Sequence, residues 1–137
     1  MLPLLALSCK TSNSGHDVEE RKLNYAEMLG KPTEITFTED SFDFGTVIDG
    51  DAVNHTFEFE NTGDHNLILI DVKGSCGCTV PENWPEAPIK PGGKGKIDVT
   101  FDSKNRVGNV IKNVRIEANT EPSITVLNIK GIVKEKI

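Results

Sequence analysis

Between Thr33 and Lys134 the apolar residues recur at every second position, and turn-forming residues cut that alternation at short intervals. A period of two belongs to strands that bury one face; a helix spaces its buried residues three and four apart. Ile35 and Phe37 alternate with Thr36 and Thr38. Asp40-Ser41 breaks the run, and Phe42-Asp43-Phe44 resumes it before Gly45. Asp49-Gly50 is a turn pair. Val53, Phe57 and Phe59 then alternate with Asn54, Thr56, Glu58 and Glu60, a half-buried strand that ends in the turn Asn61-Thr62-Gly63-Asp64. Ile97, Val99 and Phe101 alternate with Lys96, Asp98, Thr100 and Asp102. Val110, Val114, Ile116 and Ala118 mark the next strand, closed by Asn119-Thr120-Glu121-Pro122, and a last strand runs from about Ser123 to Lys134.

Two segments depart from simple alternation. Asn66-Leu67-Ile68-Leu69-Ile70-Asp71-Val72 is a nearly continuous apolar run, which predicts a central strand covered on both faces. Val80 to Gly93 contains four prolines, which exclude a regular helix or a central strand and predict a long, stiff loop with Trp84 tucked against the domain. The total is about seven strands, with turn signals about every 8–12 residues: an all-β chain, folded as an antiparallel β-sandwich. With 137 residues there is room for one such domain and a tail.

Asp43-Phe44-Gly45, Phe57-Glu58-Phe59-Glu60-Asn61-Thr62-Gly63, Ser75-Cys76-Gly77-Cys78-Thr79, Ile89-Lys90-Pro91-Gly92-Gly93 and Leu127-Asn128-Ile129-Lys130-Gly131 occur in that order. As a set they resemble a bacterial domain-of-unknown-function family, common in Bacteroidetes-type envelope proteins and lipoproteins. The resemblance covers roughly residues 35–134. It implies an immunoglobulin-like sandwich, akin to Hydin-type and major-sperm-protein domains, and an envelope location. It implies no activity.

The first fourteen residues read as an address. Leu2-Pro3-Leu4-Leu5-Ala6-Leu7-Ser8 is apolar and ends in a small residue before Cys9, after which the chain turns polar. This is similar to the end of a bacterial lipoprotein signal, in which the cysteine is lipidated. A basic leading segment is missing, the apolar run is shorter than the ~7–15 residues of a signal core, and Ala6 stands where leucine is favoured. The division that follows is a truncated signal over 1–9 with Cys9 lipidated, a polar tether over 10–32, and the sandwich over 33–137. The apolar stretch is too short to span a bilayer, which takes ~20 residues, so membrane contact is expected through the lipid alone. The localisation expected is the cell envelope, at the periplasm or outer membrane.

The net charge of −6 argues against nucleic acid as a partner, since phosphates call for clustered Lys and Arg. The charge is uneven. Residues 34–86 carry 12 acidic side chains and a single basic one, Lys73, whereas residues 87–137 carry 10 basic and 5 acidic. Either the halves make two faces for docking, or their strands interleave and the charges pair locally. The second fits the way sandwiches are woven.

Cys76-Gly77-Cys78 is the stretch with the most chemical potential. Cysteines two apart meet disulfide geometry only where the backbone turns, and Gly77 has the freedom to take the unusual φ and ψ that would fold them together. Three readings stand: a structural disulfide or pair of buried thiols; a labile dithiol in redox exchange; a soft-metal pair for an ion such as Cu(I). The usual redox motif is Cys-x-x-Cys at a helix start, which the following prolines oppose. A zinc site needs four ligands, and His55 and His65 join these cysteines only by assumption.

The remaining candidates have ordinary explanations. His55 shares parity with Val53 and Phe57, so it points inward as a hydrogen-bonded, half-buried histidine. His65 lies in a turn and His16 in the tether. Asp40, Asp43, Asp49 and Asp51 cluster at turns without the spacing of a defined calcium loop. Asn54-His55-Thr56 is a formal glycosylation sequon without meaning in a bacterial lipoprotein. Gly92-Gly93-Lys94-Gly95 precedes a strand and not a helix, so it reads as a turn rather than a phosphate cradle. No catalytic order of residues emerges. The function expected is a non-catalytic interaction or structural module for a protein partner of the cell envelope, with no cofactor and no resident metal. The rival is a thiol-redox or copper-handling protein using Cys76 and Cys78.

Overall fold

The computed structural model describes residues 27–137. The expected signal over 1–9, the expected lipidation at Cys9 and most of the expected tether lie outside the described residues. Two four-stranded sheets face each other. One has the order β1(Ile35–Phe37)–β3(Ala52–Asn61)–β6(Lys94–Asp102)–β5(Thr79–Glu82). The other has the order β2(Ser41–Ile48)–β8(Ile124–Lys134)–β7(Gly108–Ala118)–β4(Leu69–Gly74). The domain is an immunoglobulin-like β-sandwich with eight strands, one more than the alternation predicts. The extra one is β5, which takes up the start of the proline-rich segment as a short edge strand around Pro81. Proline is tolerated there because an edge residue needs no second ladder partner.

The pairing is antiparallel except between β2 and β8, which run parallel with a shift between Asp43 and Thr46. The first strand region is thus split: β1 pairs with β3 in one sheet and β2 with the last strand in the other. The pattern could not show this, because alternation gives the face of a strand and not its neighbour. A second correction concerns residues 66–72. The strand there, β4, begins only at Leu69 and lies at a sheet edge, not at its centre. Leu67 and Ile68 are fully buried but precede it, where the chain crosses from one sheet to the other over the end of the core. A crossing segment is covered on all sides, which is why its apolar run is continuous.

Alternation places the core. Phe57, Phe59, Ile97, Val99 and Phe101 from one sheet meet Val114, Ile116, Leu127 and Ile129 from the other, all buried. Trp84 and Ile89 from the proline-rich loop pack against this core. A smaller cluster of Cys78, Phe101, Val110 and Val133 fills one end. The charged halves interleave: Glu58 stands opposite Lys96 and Glu60 opposite Lys94 across β3 and β6.

Both ends of the sandwich are closed by buried polar side chains. Asn61 donates from Nδ2 to the carbonyls of His65 (2.7 Å) and Ile89 (2.9 Å), and its Oδ1 accepts from Thr33 Oγ1 and the Gly63 amide. Asn119 accepts from the Ile68 amide at 2.7 Å and donates to the carbonyls of Asn66, Met28 and Lys31. The last residues of the expected tether are therefore bound to the domain, after a helical turn at 27–29 that stops at Gly30. At the opposite end Ser103 Oγ joins the Gly50 amide and the carbonyls of Ile48 and Asp51. Among the described residues no helix is long and apolar enough to cross a membrane.

Candidate functional site

The Cys-Gly-Cys stretch forms the corner where the chain leaves the β4 edge of one sheet and enters the β5 edge of the other. The β4 ladder ends at Gly74 opposite Val114, and Ser75 extends it by one step, its amide donating to the Asn113 carbonyl at 2.8 Å. The corner closes when the Thr79 amide donates to the Cys76 carbonyl at 3.1 Å. The Cys78 carbonyl then accepts from the Asp102 amide at 2.8 Å, which delivers the chain into β5. Cys76 and Cys78 lie with their sulfurs at disulfide distance and their Cα atoms 5.2 Å apart, within the range such a bond needs. Cys78 is buried, at 8% exposure, against Phe101, Val110 and Val133; Cys76 is only partly covered. Thr79 Oγ1 lies 3.8 Å from each sulfur.

The glycine that makes this corner possible is not the one between the cysteines. Gly77 keeps an ordinary φ, and a Cβ there would meet nothing. The expectation that it takes an unusual backbone conformation is corrected. At Gly74 a Cβ would lie 1.9 Å from the Thr79 carbonyl oxygen. The two strand ends approach so closely that only glycine fits.

The other candidates are structural. His55 points inward, its ring stacked on Phe42 with centroids 3.6 Å apart and set edge-on to Phe57, and its Nε2 contacts Glu39. His65 is exposed. Asp43 accepts from the Gly45 amide, Asp49 from the Asn105 amide and Asp51 from the Ile48 amide, so these carboxylates hold turns. Among the described residues no three His, Cys, Asp or Glu side chains converge on a metal position. Asp98, on the outer face of β6, accepts hydrogen bonds from Thr56 Oγ1 and Asn83 Nδ2. Those bonds, with nearby Lys96, hold its carboxyl below the ordinary carboxylate range.

A further feature went unread in the sequence. Three exposed isoleucines lie on a diagonal across the outer face of the second sheet. Ile132 stands opposite Thr46 and Asn109; Ile48 is one step along β2, and Ile111 one step along β7 in the other direction. They are 52% (Ile48), 44% (Ile132) and 71% (Ile111) exposed. Beside them the bulge at Gly45, whose φ is +73°, leaves a shallow depression of about 340 Å³ bordered by Asp43, Lys130 and Asn109. The alternation carried the signal, since all three occupy outward positions where the other strands place polar residues.

Architecture and site together define an immunoglobulin-like β-sandwich with a cysteine-closed corner. Residues 35–133 match the family described as a protein of unknown function, DUF1573, and the chain belongs to that family. No curated protein matches it. Among solved structures it is similar to a protein of unknown function from Porphyromonas gingivalis W83, at 17% identity and a TM-score of 0.63, over 74% of this chain and 47% of that one. It is also similar to the ASH/PapD-like domain 7 of human CEP192, at 16% identity and a TM-score of 0.55, over 100% and 99% of the two chains. A third likeness is to part of VesC, a secreted serine protease from Vibrio cholerae, at 10% identity and a TM-score of 0.56, over 80% of this chain and 24% of that one. The chain thus spans about half of the first relative and about a quarter of the protease. These likenesses concern the fold.

Proposed function

We propose that this protein is a non-catalytic interaction module of the bacterial cell envelope, held to a membrane by a lipid on Cys9, that meets a protein partner through the outer face of its β2–β8–β7–β4 sheet. The observation that carries the reading is the isoleucine diagonal. Single exposed aliphatic residues are normal on a protein surface, but three contiguous ones on one sheet face, beside a depression, are what a partner contact uses. Lys134 lies beside Ile48, and Lys130 stands opposite Asp43 at the other end of the diagonal, so the partner surface is apolar with a rim of mixed charge. The sheet edges favour a face-on contact over strand addition. β1 has three residues, β5 contains Pro81, and β4 and β2 are both interrupted by register shifts, all of which blunt an edge.

A photo-crosslinking residue at position 111 of the anchored protein tests the contact in cells. We expect a discrete adduct that disappears when Ile132→Lys is added. Equal adducts from position 100, on the opposite sheet, would sink the reading. The anchor is tested separately with labelled fatty acid, behind an intact export signal: label should enter the protein and be lost in Cys9→Ser.

A further inference from the structure

We infer that Cys76 and Cys78 form a thiol–disulfide exchange site, with Cys76 Sγ the sulfur that a partner's thiolate attacks and Cys78 Sγ the sulfur that leaves. This goes beyond the interaction reading and does not depend on it. The two cysteines sit inside one turn and join no distant segments. A bridge over so short a loop restrains the unfolded chain little, so chain stability is a weak reason for it. The surroundings supply a better one.

The corner is anchored on both sides by hydrogen bonds that do not involve sulfur. Ser75 is tied to Asn113, the Thr79 amide to the Cys76 carbonyl, and the Cys78 carbonyl to the Asp102 amide. Opening the sulfur–sulfur bond leaves all three in place, so the thiols stay close enough to close again. The two sulfurs are also unequal. Cys78 is one of the buried members of the cluster with Phe101, Val110 and Val133, whereas Cys76 is only partly buried against it, so Cys76 Sγ is the more open to an attacking thiolate. Gly77 is exposed and a side chain there would touch nothing, so a partner backbone can come close. Thr79 Oγ1, itself buried, stands 3.8 Å from both sulfurs, where its hydroxyl can turn toward a departing thiolate; the unequal burial, and not this contact, decides which sulfur leaves.

The reaction partner is a protein dithiol. Its first thiolate forms a bond to Cys76 Sγ as the Cys76–Cys78 bond breaks, and the electron pair leaves on Cys78 Sγ, which takes up a proton. The partner's second thiolate then attacks its own sulfur in the mixed disulfide and releases Cys76 as a thiolate, which is also protonated. The partner is oxidised to a disulfide, and Cys76 and Cys78 are reduced by two electrons and two protons.

The test uses the full chain with Cys9→Ser, so that two cysteines remain. Alkylation and intact mass, across buffers of reduced and oxidised dithiothreitol, should show a reversible conversion of both cysteines together while circular dichroism stays unchanged. Single variants assign the roles: Cys76 in Cys78→Ser should form a mixed disulfide with oxidised glutathione at least about tenfold faster than Cys78 in Cys76→Ser, because access governs exchange. Resistance to reduction until the domain unfolds would overturn the proposal. So would equal rates in the two variants. Protection of both thiols by one equivalent of Cu(I), with no exchange in the dithiol buffers, would overturn it in favour of a metal site.

Discussion

A leucine at position 61 would continue the inward row of Phe57 and Phe59, yet we expect Asn61→Leu to destabilise the domain by about 3 kcal/mol. The His65 and Ile89 carbonyls and the Gly63 amide would each lose a partner at a closed end of the core, and an abandoned buried polar group costs ~1–3 kcal/mol. A shift of the urea midpoint with an unchanged slope is the readout. Asp98 gives a pH-dependent counterpart. Its carboxyl titrates below the ordinary range when folded, so its ionised form stabilises the fold above that range. That contribution is lost as pH falls through the lowered value. Asp98→Asn should therefore be less stable than the parent at neutral pH, and the two should converge in strong acid. An unchanged gap across denaturation curves from neutral to acid pH would refute this. Asn61 and Ser103 also show what alternation can reveal about single residues. Each lies on the inward parity of its strand, after Phe57-x-Phe59 and Val99-x-Phe101, and is fully buried. The inward position was legible; the set of loops each one gathers was not, because those partners are remote in sequence.

At the scale of elements, the strands with a clear alternation, β3, β6 and β7, emerged where expected, since each has one buried and one solvated face. β4 did not, because a crossing segment and a central strand are both apolar throughout, and only the location of the neighbours separates them. The β4–β5 corner yields a paired prediction. Gly74→Ala should cost more than about 2 kcal/mol, since its methyl group would overlap the Thr79 carbonyl and the fixed strand ends leave no room to relax. Gly77→Ala, three residues on, should stay within about 0.5 kcal/mol. Thermal unfolding of the two variants side by side distinguishes a corner set by close approach from one set by glycine's freedom at position 77; if Gly77→Ala is the worse of the two, the account given for the corner fails. The cysteine pair itself was visible from spacing alone. Its asymmetric burial was not, because the core beneath Cys78 is assembled from Phe101, Val110 and Val133 on three other strands.

For the whole molecule, the charge asymmetry between the two halves of the chain is reconciled by weaving. Acidic β3 lies beside the two lysines at the start of β6, so the outer face of that sheet mixes both signs along Glu58–Lys96 and Glu60–Lys94. This leaves the isoleucine diagonal on the opposite sheet as the distinctive patch on the described surface. The polar closures at the two ends have a further consequence, for time and not for stability. Ser103 binds residues 48–51, Asn119 binds residues 28–31 and 66–68, and the parallel partner of β2 is the last strand. Contacts so distant along the chain must wait for large loops to close, which slows folding. A chain emerging from synthesis can pair β1, β3, β5 and β6 once Asp102 is out, but the β2–β8–β7–β4 sheet has to wait for β7 and β8. The second layer of the sandwich therefore closes over the first in a late step.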